Sequence, residues 1–181
     1  MKHALLILCM QNCYYDNVNI KLSIKISMNS ACEYINMALD LFRKKDLPII
    51  WIQDDGAEDI YGPFIDFAIN DIHYGTKDFE IIDKLKQNKL EKIIAKKKGR
   101  SGFKETGLLE YIKENKLDTL IITGFPAEYD VLDTYKAAED YNLKPIILKN
   151  GIAGIFDNRG IEHVERICEI ITINELEKII E

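Results

Sequence analysis

Short apolar runs alternate with longer stretches in which apolar residues recur at helical spacing. Residues 4–8 form a continuous apolar run and predict a strand buried on both faces. Asn29 or Ser30 can cap a helix through about Lys45, with Ile35, Met37, Ala38, Leu41 and Phe42 at helical spacing. Pro48 follows the end of that helix, and residues 48–53 read as a second strand. Residues 92–97 predict a short strand, and Thr106 caps a helix containing Leu108, Leu109, Tyr111 and Ile112. Residues 119–123 are again continuously apolar, and Gly124 and Pro126 break the run before a helix from about Ala127 to Tyr141. A strand over 145–148, a helix over 162–169, a short strand over 170–173 and a last helix capped by Asn174 complete the pattern.

Strand–helix alternation repeated this often predicts an α/β protein, a mostly parallel sheet with helices on both faces. Ligands in such folds bind beyond the carboxyl ends of the strands. The positions to inspect are therefore 9–12, 54–55, 97–101 and 124–130. Residues 54 to about 76 contain Gly56, Gly62, Pro63 and Gly75 and no clear periodicity, which marks a candidate binding loop.

At 181 residues the chain suits one domain, 1–181, because two cores would each be marginal. The net charge of -6 argues against a nucleic-acid partner, which needs clustered positive charge. No apolar run is long enough to cross a bilayer, so no membrane partner is expected. The run at 4–10 ends in Gln11-Asn12 without a small-residue cleavage site, and reads as a strand rather than a secretory leader. Cysteines at 9, 13, 32 and 168 form no CxxC and no zinc-finger spacing, which points to reduced thiols and a cytoplasmic location. GxGxxG and GxxxxGK[ST] are both missing, and residues 98–102 have the wrong order for a phosphate loop.

Four patterns carry a resemblance. They are Ala4-Leu5-Leu6-Ile7-Leu8-Cys9-Met10-Gln11-Asn12; Ile93-Ile94-Ala95-Lys96-Lys97 with Ser101-Gly102-Phe103 and Thr106-Gly107-Leu108; Leu120 to Leu132 around Gly124-Phe125-Pro126-Ala127; and Ala137-Ala138 followed by Pro145-Ile146-Ile147-Leu148. Over nearly the whole chain, the set resembles the isochorismatase-like, or nicotinamidase-like, cysteine hydrolase family. The resemblance implies a three-layer α/β/α sandwich with about six strands, a small-molecule substrate, and a homo-oligomer, dimer or tetramer. It also implies a cis peptide at Phe125–Pro126.

In that family the first strand ends in an aspartate, matched here by Cys9. The family lysine, four residues before Ser-Ala-Phe, is matched by Lys97, with Lys96 the alternative if the register is one residue off. The nucleophilic cysteine is matched by Asp130. The aspartate and cysteine positions are thus exchanged, and Cys9, Lys97 and Asp130 are the candidate catalytic set. Gln11, Phe103, Pro126 and Ala127 are the implied substrate contacts. Zinc-binding members use Asp and His soon after the second strand. Here no histidine follows until His73, so no metal and no cofactor is expected, and Asp54 and His73 are the remnants of such a site.

The exchange leaves two readings open. One is a small-molecule amide hydrolase working through a rearranged site. The other is a catalytically inactive relative, a pseudoenzyme that binds a small molecule or a partner protein in the same cleft. Exchange moves the thiol off the helix N-terminus, where the dipole favours thiolate, and leaves Cys9 dependent on the lysine.

Overall fold

The computed structural model describes residues 2–16, 22–56, 72–155 and 157–180, and for Asp157 the backbone only. Six strands form one parallel sheet: β1 (His3–Leu8), β2 (Ile49–Asp54), β3 (Lys92–Lys96), β4 (Thr119–Gly124), β5 (Lys144–Ile152) and β6 (Ile170–Ile171). Their order is β3-β2-β1-β4-β5-β6. The helices are α1 (Asn12–Tyr15), α2 (Leu22–Lys44), α3 (Leu108–Glu114), α4 (Leu132–Asp140), α5 (Asp157–Ile167) and α6 (Ile173–Ile179), with a π-helical turn at Ala127–Val131 before α4. The expected α/β architecture of six parallel strands flanked by helices is the one observed.

The central strands β1 and β4 are buried along their whole length, which is why their sequences are continuous apolar runs. They pair from His3↔Thr119 to Leu8↔Gly124. β1 also pairs with β2, Leu5↔Ile49 to Leu8↔Ile52. The chain leaves β1 toward β2 on one side and later returns to β4 on the other. That reversal opens a crevice above the carboxyl end of β1, where open α/β sheets hold ligands.

Several boundaries differ from the expectations, each for a local reason. α2 begins at Leu22, because Ile24 and Met28 extend its buried face a further two turns ahead of Asn29. β5 runs on to Ile152 after a register shift and pairs a second time with the end of β4 at Gly124↔Ile152. α6 is capped by Thr172, not Asn174, because Thr172 and Glu175 satisfy each other's backbone in a capping box. Most of the candidate binding loop, residues 57–71, lies outside the described residues. Among the described residues, no helix is long and apolar enough to cross a membrane.

Candidate functional site

Four strand ends meet at the crevice. Cys9 follows β1 with a left-handed backbone (φ 51°) and is fixed there by its N–H on Ile52 O, 2.8 Å. Gly124 closes β4 against it. A Cβ at Gly124, whose φ is 115°, would lie 2.2 Å from Leu8 O, so only glycine allows this approach. Phe125 N–H then donates to Leu8 O at 2.9 Å, and the cis Phe125–Pro126 peptide leads into the π-helical turn that carries Asp130. The expected single helix from Ala127 is thus split. π-helical turns of this kind are frequent at functional sites.

β3 supplies the cation. Side chains alternate along a strand, so Ile94 and Lys96 point inward while Lys97 points out. The Lys96 ammonium is fully buried, 2.8 Å from Asp54 Oδ1 and in contact with Asp130 Oδ1, and also donates to the carbonyls of Gly99 (3.1 Å) and Arg100 (3.2 Å). Asp54 is its register partner at the end of β2. The Tyr14 hydroxyl donates to Asp54 Oδ2 at 2.6 Å, and the Cys9 thiol donates to Asp130 Oδ1 at 3.4 Å. Tyr14, Cys9, Asp54, Lys96 and Asp130 all have zero exposure.

The structure therefore brings together Cys9 and Asp130 of the expected set but not Lys97. The Lys97 side chain is 74% exposed and sits 3.8 Å from Asp55 on the other side of the strand. Strand parity, with Ile94 as the inward marker, is the signal that selects Lys96. Asp54 belongs to the cluster as a partner of Lys96. His73 instead approaches Asp55, at 3.9 Å. Asp54 is the residue that motif reasoning undervalued. Its side chain faces the site only because β2 and β3 end in register.

The implied substrate contacts are already engaged. Gln11 accepts from Asp54 N (2.7 Å) and gives both amide hydrogens to Asp54 O and Phe79 O (3.0 Å each), fastening α1 to β2. Phe103 packs on Tyr141 at the end of α4, ring centroids 5.2 Å apart, outside the cluster. Pro126 has no N–H to offer. The Ala127 N–H donates to Ala153 O at 2.8 Å, and those of Tyr129 and Val131 to Pro126 O. These amides are spent on the protein and are not aimed at a developing oxyanion.

Burial comes first among the influences on the Cys9 thiol and pushes it well above its ordinary value. Asp54 and Asp130 push the same way, against Lys96. Burial alone would lower Lys96, but Asp130 and Asp54 outweigh it and hold the amine charged, above the usual lysine value. Burial, then Asp54, raises the Tyr14 phenol. At neutral pH Cys9 keeps its thiol proton, Tyr14 its phenol proton and Lys96 its charge, with Asp54 and Asp130 on either side of the ammonium. Cys9, Asp54 and Asp130 each present one ligand-type atom within 4.8 Å of the others. The Lys96 ammonium lies among these atoms and already supplies their cation, so the donor set does not fit a metal ion as it stands.

A family model for the isochorismatase domain matches residues 3–175. The chain belongs to the isochorismatase family. Solved structures share its fold. An isochorismatase-like hydrolase from Alkaliphilus metalliredigens is 23% identical, with all of both chains covered and a TM-score of 0.78. N-carbamoylsarcosine amidase from Thermoplasma acidophilum is 21% identical over 97% of this chain and 98% of that one, TM-score 0.78. A pyrazinamidase of Pyrococcus horikoshii, solved in complex with zinc, is 18% identical over 95% and 99%, TM-score 0.73. A comparison with curated protein sequences finds no match. Membership in this family accounts for the fold, and Cys9, Asp54, Lys96 and Asp130 meet at its crevice.

Proposed function

We propose that this chain is a cytoplasmic, single-domain member of the isochorismatase family that binds a small molecule at the crevice and does not hydrolyse amides through a resting thiolate. The observation that carries this reading is Lys96 held between Asp54 and Asp130, with the Cys9 thiol on the same Asp130 oxygen and no exposed surface on any of the four. A thiol needs a net positive neighbourhood to ionise. Here one ammonium faces two carboxylates. The engaged amides at Ala127, Tyr129 and Val131 support the same reading, because acyl transfer needs donors for the oxyanion.

A second reading is favoured by one contact. Asp130 lies 3.4 Å from the Cys9 sulfur and is placed to accept its proton, so a hydrolase working through Cys9, Lys96 and Asp130 would generate its thiolate only once substrate is bound. The two readings separate in an assay on pyrazinamide and N-carbamoyl amino acids, run beside thermal melts in the same compounds. Binding without chemistry raises the melting temperature with no product formed. Metal-independent turnover that Cys9→Ala abolishes overturns the first reading in favour of the second. The exchange Cys9→Asp with Asp130→Cys returns the thiol to the family position. Amide hydrolysis gained only in that variant further supports the binding reading.

A further inference from the structure

Three of the chain's four arginines gather beside the π-helical turn, although the chain as a whole carries a net charge of -6. The fourth, Arg43, is paired with Glu91. The Arg100 guanidinium lies on the Tyr129 ring, 4.2 Å from its centroid. Arg159 and Arg166 stand on α5 with His163 between them, and all three are exposed. At about 100° per residue they fall within about 60° of one another around the helix. Tyr129, Arg159 and His163 line a cavity of about 400 Å³ together with Glu128 and Gly160.

The polar groups of this cavity have defined parts. Arg166 Nη2 lies 3.1 Å from His163 Nδ1. A guanidinium only donates, so Nδ1 is the acceptor and the imidazole N–H is Nε2. Arg159 has no carboxylate partner among the described residues. Glu128 is the one acid in the lining. Its Oε1 accepts the Ile155 N–H at 2.9 Å, and a Cβ on Gly160 would lie 2.3 Å from the same oxygen, so α5 holds this carboxylate in the wall. An anion is repelled from Glu128 and seats on the Arg159–His163 side.

We infer that this cavity binds a phosphate monoester of a small organic molecule, with the phosphate on Arg159 and His163 and the organic group against Tyr129. None of its lining residues belongs to the Cys9–Asp54–Lys96–Asp130 cluster, so it is a site separate from the crevice. The planar fork of Arg159 takes two oxygens of one anion. A carboxylate has no further oxygen, whereas a phosphate offers a third to the imidazole N–H. Arg100 adds positive charge at the Tyr129 ring. The cavity is far larger than a bare phosphate ion and falls within the ~300–1,000 Å³ of small-molecule sites, which leaves room for an organic group beside the aromatic wall.

Calorimetric titration of the full chain at fixed ionic strength with phenyl phosphate, inorganic phosphate and benzoate tests the assignment. One phenyl phosphate binds per chain, at least ~3-fold more tightly than inorganic phosphate and ~10-fold more tightly than benzoate. Arg159→Gln weakens it at least ~10-fold, because a charge-assisted pair is lost. Arg159→Lys restores only part of that, since an ammonium lacks the fork. His163→Ala weakens it ~3-fold or more. Both positions are exposed, so circular dichroism and melting of the unliganded variants stay as in the natural chain. Cys9→Ala, in the crevice, leaves the affinity within about twofold. A chain that shows no saturable binding of phenyl phosphate overturns the inference. So does binding indifferent to Arg159→Gln, benzoate or inorganic phosphate bound as tightly as the ester, or binding lost in Cys9→Ala, which would put the anion in the crevice.

Discussion

At the carboxyl edge of the sheet Lys96 lies between Asp54 and Asp130 with no exposed surface, while near the amino ends of β2 and β3 Arg43 meets Glu91 with water at the guanidinium. The second pair is open, with side-chain exposures of 28% and 9% at a separation of 2.7 Å. Its carboxylate is fully used: Glu91 accepts from Arg43 Nε (2.8 Å), Trp51 Nε1 (2.7 Å) and the backbone of Asn88 (3.0 Å). The pair fastens the end of α2 to β2 and β3, and its charges cancel. The inner cluster has one cation for two acidic side chains, a neutral thiol beside them, and no exposed surface. Surface pairs contribute about 0–1 kcal/mol because solvent screens them. A buried pair costs several kcal/mol of desolvation per ion, so the inner cluster is weak ground for stability while the loss of one member is costly.

The sharpest way to break this contrast is to remove each cation or its partner in turn. Lys96→Met leaves two carboxylates in a dry site and should cost about 3–5 kcal/mol in urea unfolding. Adding Asp54→Asn and Asp130→Asn should recover most of that loss. A cost under ~1 kcal/mol for Lys96→Met would mean that water reaches the inner cluster. Glu91→Ala should cost less, about 1–3 kcal/mol, chiefly because the buried Trp51 N–H loses its acceptor. The chain has a single tryptophan, so its fluorescence reports that change directly.

Alkaline pH probes the inner region through its trapped protons. The Cys9 and Cys13 thiols are raised well above their ordinary value, and Cys32 and Cys168 are pushed up to about 11, in each case first by burial. The folded chain thus keeps protons that the unfolded chain releases. Stability is full below the unfolded thiol value near ~8.5 and falls as pH rises above it, by at most ~1.4 kcal/mol per pH unit for each group. Cys9→Ala should flatten this decline measured relative to its own stability near pH 6, which the lost buried side chain lowers by a pH-independent amount. A profile that does not change in Cys9→Ala would mean the Cys9 thiol ionises as readily folded as unfolded. Salt gives the smallest effect. Raising sodium chloride to 0.5 M should shrink the Glu91→Ala cost by a few tenths of a kcal/mol and leave the Lys96→Met cost unchanged, because screening acts only where ions reach.

The strands were legible because a strand buried on both faces must be a continuous apolar run, as in β1 and β4. The start of α2 was not, because Asn29 and Ser30 look like caps when nothing shows that Ile24 and Met28 already face the sheet. Cys9 and Asp130 could be placed by motif, since each follows a strand end closely. Counting back from Ser101 selects Lys97, one residue off, because spacing from a motif does not say which side of a strand a residue faces. Only the side that β3 turns to the sheet chooses between them.

The periodic pattern of the chain tells which segments are strands, which are helices, and that polar residues stand at the strand ends. Tertiary structure decided the rest through register. Pairing β2 with β3 sets Asp54 beside Lys96, and the close approach of Gly124 to Leu8 turns Asp130 toward Cys9. Those contacts join residues 42 and 121 positions apart in the chain. Local sequence carries no record of such distances. They exist only because burying the apolar faces leaves the strands one way to lie together.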